Sequence, residues 1–148
     1  MSKKRNAETD SRMQSGHGGE SGHDSDDGFE EELASSCYVS ELVVKKSRFI
    51  ACMGPAPTAS DAFAFIAAAS EPDARHNCWA FRVGSDLTRS SDDGEPSGTA
   101  GKPILASIER SGLSHVVVVV VRYFGGIKLG APGLTRAYSN AASACLKE

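Results

Sequence analysis

Residues 115–125 read HVVVVVVRYFG, and this stretch decides the fold. Its six consecutive valines are β-branched and leave the segment no polar face, whereas a strand with one face in water alternates apolar and polar residues. The stretch therefore predicts a central strand in a covered sheet. The valine run is far too short to cross a bilayer, which takes about 20 apolar residues in a helix.

The segments around this strand predict a domain of the α+β or α/β class with the element order ββαβαβα. Lys45 and Lys46 fall at or near the first turn, while Pro72 and Gly112 follow the first two helices. The predicted elements are strands at about 37–44 and 47–53, a helix at 58–70, a strand at 77–84, a polar loop from 84 to about 97, a helix at 99–112, the valine strand, a glycine-rich turn at 125–133 and a helix at 134–148.

Charge is distributed unevenly along the 148 residues, whose net charge is −3. Residues 1–34 carry four basic and nine acidic residues and almost no aliphatic side chain, whereas the remainder carries twelve basic and ten acidic residues. A segment with so little apolar area cannot offset the entropy lost on ordering. We predict a disordered acidic tail at 1–34 and one folded, mildly basic domain at 35–148.

The four cysteines form no C-x-x-C pair, and no histidine cluster has the spacing of a zinc site, so the sequence predicts no structural metal. The N-terminus lacks the apolar stretch of a signal peptide. We therefore expect free thiols in a reducing, cytoplasmic environment, and no association with a membrane.

Residues 91–103 read SDDGEPSGTAGKP and combine three carboxylates with a glycine-rich helix start. Clustered carboxylates suit Mg²⁺ or Ca²⁺, but the spacing is not that of an EF-hand loop. A Walker A loop is excluded, because Pro96 and Pro103 stand where glycine and Ser or Thr are required. The free N–H groups of the helix start could hold an external phosphate, or Asp92, Asp93 or Glu95 could fold back as an internal cap.

Residues 122–138 read RYFGGIKLGAPGLTRAY, in which a strand ends, glycines turn the chain and a helix begins. The G-x-G-x-x-G spacing of nicotinamide-binding folds is absent. Basic residues interleaved with aromatic ones suit phosphate contact and base stacking, but they equally suit a tight turn with buried aromatics and solvated bases. These residues are Arg122, Lys128 and Arg136 with Tyr123, Phe124 and Tyr138.

The third polar stretch is RHNCWAF at 75–81, in which His76 and Cys78 invite comparison with a base and a nucleophile. Residues two apart on a strand face the same side without turning towards each other. We therefore predict that Cys78 is not catalytic and that His76 lines a polar pocket. No G-x-S-x-G motif occurs either.

Taken together, HNCWA at 76–80, DDGEPSGTAGKPIL at 92–105 and VVVVRYFGGIKLGAPGLTRAY at 118–138 closely resemble the IMPACT/YigZ family. The likeness runs from about Ser47 to the C-terminus. It implies the ribosomal protein S5 domain 2-like fold, a two-layer α+β sandwich of a four-stranded sheet with helices on one face. Pro132 departs from the family, which usually has glycine there, and should stiffen the turn.

The resemblance also implies a function, since eukaryotic members are similar to translational regulators of the stress response. Such regulators bind the ribosome-associated activator of the amino-acid-starvation kinase and so restrain phosphorylation of initiation factor two. We therefore expect a non-enzymatic regulator that binds a translation-associated protein or RNA. The alternative is a nucleotide- or phosphate-binding enzyme with a divalent metal at the acidic loop.

For the leading hypothesis, Lys128, Arg122 and Arg136 would contact phosphate or an acidic partner, with residues 92–101 forming the opposite wall of a pocket. We predict no catalytic residue, no metal ligand and no cofactor. The predicted binding residues are His76, Asp92, Asp93, Gly94, Glu95, Gly98, Thr99, Gly101, Lys102, Arg122, Tyr123, Phe124, Gly125, Gly126, Lys128, Gly130 and Arg136.

Overall fold

The computed structural model describes residues 2–4 and 38–147 of the protein. Within these ranges, six strands and three helices follow one another in the order βββαββαβα. The strands are β1 (Ser2–Lys4), β2 (Tyr38–Val44), β3 (Ser47–Pro55), β4 (His76–Val83), β5 (Leu87–Ser91) and β6 (Val116–Tyr123), and the helices are α1 (Ala59–Ala69), α2 (Gly101–Ser111) and α3 (Gly130–Leu146).

The strands form one antiparallel sheet in the order β1-β2-β3-β6-β4-β5. The valine strand β6 lies inside the sheet between β3 and β4, which confirms the prediction of a central strand. Its register sets Arg122 opposite Phe49 on one side and His76 on the other. Three residues that are far apart in the sequence therefore meet at one end of the sheet.

Both faces of the sheet are covered by helices, so the predicted two-layer arrangement with helices on one face is wrong. Val116, Val118 and Val120 pack in the core beneath α2 and α3. The alternate valines, with Phe65 and Ile66 of α1, form a second core on the opposite face. A strand that is apolar on both sides has to be covered on both sides, because its side chains alternate between the two faces.

The sheet also has more strands than the four that the family resemblance implies. The segment Leu87–Ser91, predicted as part of a polar loop, is strand β5 and pairs with β4 at the sheet edge. Its sequence LTRSS has one large apolar residue, and Leu87 itself is exposed. An edge strand of this kind gives no alternating apolar signal. The α+β class is confirmed, while the S5-like fold name stays a prediction.

Two helix starts refine the predicted boundaries. Thr58 caps α1 through a capping box, in which its hydroxyl accepts the Asp61 N–H (3.1 Å) and the Asp61 carboxylate accepts the Thr58 N–H (3.2 Å). Helix α3 begins at Gly130, before the predicted start at 134, so Pro132 lies in its first turn. Proline is tolerated there because the first N–H groups of a helix have no partner within it.

The predicted tail at 1–34 lies outside the described residues except for Ser2–Lys4. These three residues form the edge strand β1, paired with Tyr38–Ser40 of β2, where a disordered tail is predicted. Within the described ranges, no helix is both long and apolar enough to cross a membrane.

Candidate functional site

The acidic loop before α2 is closed by one of its own carboxylates. Asp92 Oδ1 accepts the backbone N–H groups of Ala100 (3.1 Å) and Gly101 (2.8 Å), and Oδ2 accepts that of Gly98 (2.9 Å). Burial on its own raises the pKa of Asp92, but these hydrogen bonds and the charge of Lys102 outweigh it, and the pKa is lowered. Of the two alternatives left open by the sequence, the internal cap is the one observed.

The same loop is tightly folded against the end of β5 and the start of β4. Asp93 and Gly94 have left-handed backbone angles, with φ of 41° and 87°. The Asp93 carboxylate accepts the N–H of Asn77 (2.7 Å). A Cβ at Gly101 would lie 2.9 Å from the backbone nitrogen of Ser91, so only glycine allows this approach. The loop leaves its helix-start amides no room for an external phosphate.

Glu95 turns inward and forms a buried ion pair with Arg122. The Arg122 Nη1 lies 2.7 Å from Glu95 Oε2, and the two residues are 5% and 7% exposed. The hydroxyl of Tyr138 donates to the same carboxylate oxygen, and His76 Nε2 lies 3.6 Å from Oε1. We call these four residues the Glu95 cluster.

The buried positive charge of Arg122 is balanced by the Glu95 carboxylate of this cluster. The Arg122 Nη2 donates to Ser47 Oγ (3.3 Å), whereas Nε is buried without a hydrogen-bond partner among the described residues. The rings of Phe49 and Phe124 lie 5.6 and 5.4 Å from its central carbon, within cation–π range. Since the guanidinium lies inside the domain, we leave Arg122 out of any surface that contacts a partner.

Two side chains in or next to the cluster, Cys78 and Tyr138, are held in their protonated forms. Burial raises the pKa of Cys78 and also that of Tyr138. The Cys78 thiol donates to the Asp92 carbonyl (3.1 Å), and a thiol that keeps its proton is a poor nucleophile. His76 Nδ1 lies 2.8 Å from the carbonyl oxygen of Asp93, which only accepts, so Nδ1 carries the proton and Nε2 faces Glu95.

The three carboxylates of the acidic loop therefore have three separate partners. Asp92 caps α2, Asp93 binds β4 and Glu95 pairs with Arg122. Within residues 38–147, no group of three or more His, Cys, Asp or Glu side chains is placed to hold a metal ion.

The turn between β6 and α3 packs against the turn between β2 and β3. A Cβ at Gly125 would lie 2.1 Å from the carbonyl oxygen of Lys46, so the two backbones touch. The Gly125 N–H donates to Ser47 Oγ (3.1 Å). Lys45 and Lys46 have φ of 47° and 69°, the left-handed values of a tight hairpin turn.

The residues predicted from the sequence separate into an inner and an outer group. Glu95, Arg122 and His76 meet inside, and the Thr99 hydroxyl is tied to the Pro96 carbonyl (2.6 Å). Tyr123 is half-buried beneath Arg48, whose central carbon lies 5.4 Å from its ring. Exposed positions are Lys102 on α2, Arg136 on α3, and Phe124, Gly126, Lys128 and Gly130 in or next to the β6–α3 turn.

Six contributors to this end of the molecule were not predicted as site residues: Lys45, Lys46, Ser47, Arg75, Ile127 and Tyr138. The paired lysines at a predicted turn were a usable signal for exposed charge. Ser47, which bonds both Arg122 and Gly125, carried none, because a serine at the start of a strand is unremarkable.

The family model of the Impact N-terminal domain matches residues 45–146. This chain belongs to the IMPACT family. It is 53% identical over 105 residues to an IMPACT family member of Thermus thermophilus, covering 71% of this chain and 58% of that one. It is 45% identical over 111 residues to the IMPACT family member YigZ of Escherichia coli, covering 71% and 54%.

Two solved structures resemble the IMPACT-family domain. One, described as a hypothetical protein, has a TM-score of 0.72 at 43% identity over 74% of this chain and 56% of that one. The other is the two-domain translational regulator Yih1, with a TM-score of 0.50 at 28% identity over 73% of this chain and 45% of that one. The chain thus spans about half the length of the proteins it matches.

Proposed function

We propose that this domain is a non-enzymatic regulator of translation that acts by binding a translation-associated protein. The observation that carries the proposal is the likeness to the two-domain translational regulator Yih1, together with membership of the IMPACT family. The activator of the starvation kinase, implied by the family resemblance, is the first partner to test. Such a role places the protein in the cytoplasm.

The chemistry of the inner residues supports binding rather than catalysis. Asp92 and Glu95 are occupied by backbone amides and by Arg122, and burial keeps the Cys78 thiol protonated. The alternative of a metal-dependent, nucleotide-binding enzyme needs these carboxylates free to face a ligand. No contact in the described residues favours it, and we do not propose it.

Translation in a cell-free extract from the source organism tests the proposal. We expect the purified full chain to change reporter yield in a dose-dependent manner when amino acids are limiting, and to co-sediment with ribosomal fractions. The same amount of heat-denatured protein is the control for nonspecific effects of adding protein to the extract. An unchanged yield with no co-sedimentation would sink the proposal.

A nuclease arm of the same experiment separates the two classes of partner. In this arm, the extract is treated briefly with RNase and the ribosomes are then removed. If a protein partner mediates the association, the domain stays bound to that protein. If the association disappears whenever RNA is digested, the partner is RNA and the protein version is wrong.

A further inference from the structure

The outer surface at this end of the sheet carries exposed side chains of two chemical kinds. We define the hairpin–turn surface as Lys45, Lys46, Arg75, Phe124, Ile127 and Lys128. Its four cations are all exposed. Its two apolar side chains, Phe124 and Ile127, are 38% and 42% exposed.

Direct contacts make this one continuous surface. The Lys46 backbone touches Gly125, which is next to Phe124 in the chain. The central carbon of the Arg75 guanidinium lies 5.0 Å from the Phe124 ring centre, and the Arg75 N–H donates to the Arg122 carbonyl (3.1 Å). Backbone contacts therefore hold the hairpin turn and Arg75 next to the β6–α3 turn, and the Arg75 side chain also contacts the Phe124 ring.

The hairpin turn reaches this geometry with unfavourable residues. Both Lys45 and Lys46 adopt positive φ, which Asn-Gly would take with much less strain. Backbone strain of this kind clusters at ligand clamps and other functional sites. Here the two side chains add two charges beside an exposed aromatic ring.

The start of α3 adds to the positive potential. Its N-cap residue, Leu129, makes no side-chain hydrogen bond to the helix, and the first turn contains no acidic residue. Within the described residues, the positive end of the helix dipole thus follows directly after Lys128 with no acidic residue in the first turn and no side-chain cap from Leu129. Asp93, exposed on the neighbouring loop, is bonded to Asn77 of β4.

We propose that the hairpin–turn surface binds an acidic protein segment that also carries apolar side chains. This inference rests on the proposed function and specifies the chemistry of its partner. Four cations favour a negatively charged partner, and covering the exposed Ile127 and Phe124 with apolar groups lowers the free energy of the complex.

A single-stranded RNA fits this surface less well. An aliphatic side chain such as Ile127 offers no stacking platform for a base. The Phe124 ring lies within cation–π range of both Arg75 and Arg122, so a stacking base would have to compete with two guanidinium groups.

Fluorescence anisotropy with the full chain tests the inference using three labelled probes. The first is a 12-residue peptide that alternates Asp or Glu with Leu or Phe, the second has every Leu and Phe replaced by Ser, and the third is a 12-nucleotide oligouridine. We expect the first peptide to bind, and the serine peptide to bind at least about tenfold more weakly, which corresponds to the burial of one or two apolar side chains. Equal binding of the two peptides, tighter binding of the RNA, or no binding of the first peptide would overturn the inference.

Matched variants locate the binding. Lys45→Asn with Lys46→Gly removes two charges while suiting the turn, and Ile127→Ser removes one apolar group; each should weaken the first peptide at least about fivefold, by loss of charge or burial. The control, Arg89→Gln with Lys147→Gln, removes two exposed positive charges elsewhere and should leave binding within about twofold. An equal loss in the control pair would show general charge attraction and contradict a defined surface.

The outcome is separable from that of the proposed function. If the wild-type chain alters translation in the extract but the hairpin variants bind and act normally, only the surface assignment fails. If the wild-type chain leaves translation unchanged, the regulatory role fails whatever the peptides do.

Discussion

Two glycine-rich segments precede helices in this domain, residues 91–101 before α2 and residues 124–130 before α3. In the sequence they look alike, since each offers glycines and a helix start. In the structure, the first is neutralised by Asp92, whose carboxylate accepts three backbone N–H groups. The second has Leu129 at its N-cap with no side-chain hydrogen bond to the helix. One segment supplies its own anion, whereas among the described residues no carboxylate plays that part for the other.

The two segments also differ in the direction they face. The first sends Glu95 into the core to meet Arg122, whereas the second exposes Phe124, Ile127 and Lys128. A glycine-rich helix start is therefore not enough to assign anion binding. Whether such a helix start can bind an external anion depends on whether an acidic side chain of the same chain already accepts its backbone N–H groups.

The strongest test of the inward-facing segment is Glu95→Ala. It leaves Arg122 buried without its carboxylate partner, and we expect a loss of about 3–5 kcal/mol in the free energy of unfolding. Urea denaturation followed by circular dichroism measures it. Glu109→Ala, at an exposed position of α2, is the control and should change stability by less than about 0.5 kcal/mol. A loss below about 1 kcal/mol for Glu95→Ala would mean that the Glu95–Arg122 ion pair contributes little to the free energy of unfolding.

The two close backbone approaches can be compared through Gly125→Ala and Gly101→Ala. The added Cβ would lie 2.1 Å from the Lys46 carbonyl oxygen in the first case and 2.9 Å from the Ser91 nitrogen in the second. We expect each to destabilise by about 1–3 kcal/mol, with the larger effect at Gly125, because overlap with the backbone has to be relieved by movement. Thermal unfolding of both variants shows which one loses more stability. A larger loss for Gly101→Ala would show that the β2–β3 hairpin moves away from the added Cβ at little cost.

Asp92→Ala tests the self-capping that separates the two segments. We expect a loss of about 1 kcal/mol at neutral pH, as for other helix caps. Because the folded-state pKa of Asp92 is lowered, its contribution is present above the unfolded pKa, near 3.9, and is lost as pH falls through the folded value. Denaturation curves from pH 7 to pH 3 should therefore converge for wild type and variant. A constant difference across that range would contradict the charged cap.

The smallest expected effect concerns the β2–β3 turn, which packs against the outward-facing segment. Lys46→Asn should stabilise the domain by less than about 1 kcal/mol, since asparagine tolerates positive φ better than lysine. Lys128→Asn, outside the strained hairpin, should leave stability within about 0.5 kcal/mol. Chemical denaturation of both variants checks this, and a loss of stability in Lys46→Asn would show that the lysine side chain itself stabilises the fold.

How far the sequence could predict this molecule depended on the kind of signal. The valine run specified both the central strand and the covering of both its faces, while the family resemblance implied helices on one face and four strands. Strand β5 was missed because LTRSS has no apolar alternation. The separate partners of Asp92, Asp93 and Glu95 could not be assigned from spacing, since left-handed turns at Asp93 and Gly94 redirect neighbouring side chains. The contacts of Ser47 with Arg122 and Gly125 could not be predicted either, because they depend on the register between β3 and β6.

The central place of β6 has a consequence for the protein as it is synthesised. A growing chain that has reached residue 115 contains the β2–β3 and β4–β5 hairpins but lacks the strand that lies between them. Strands β3 and β4 then each present an unpaired edge, the feature from which aggregation starts. The valine strand that closes both edges is itself the segment most prone to self-association. The nascent chain is thus most vulnerable until β6 has been synthesised, and insertion of this one strand then pairs both edges.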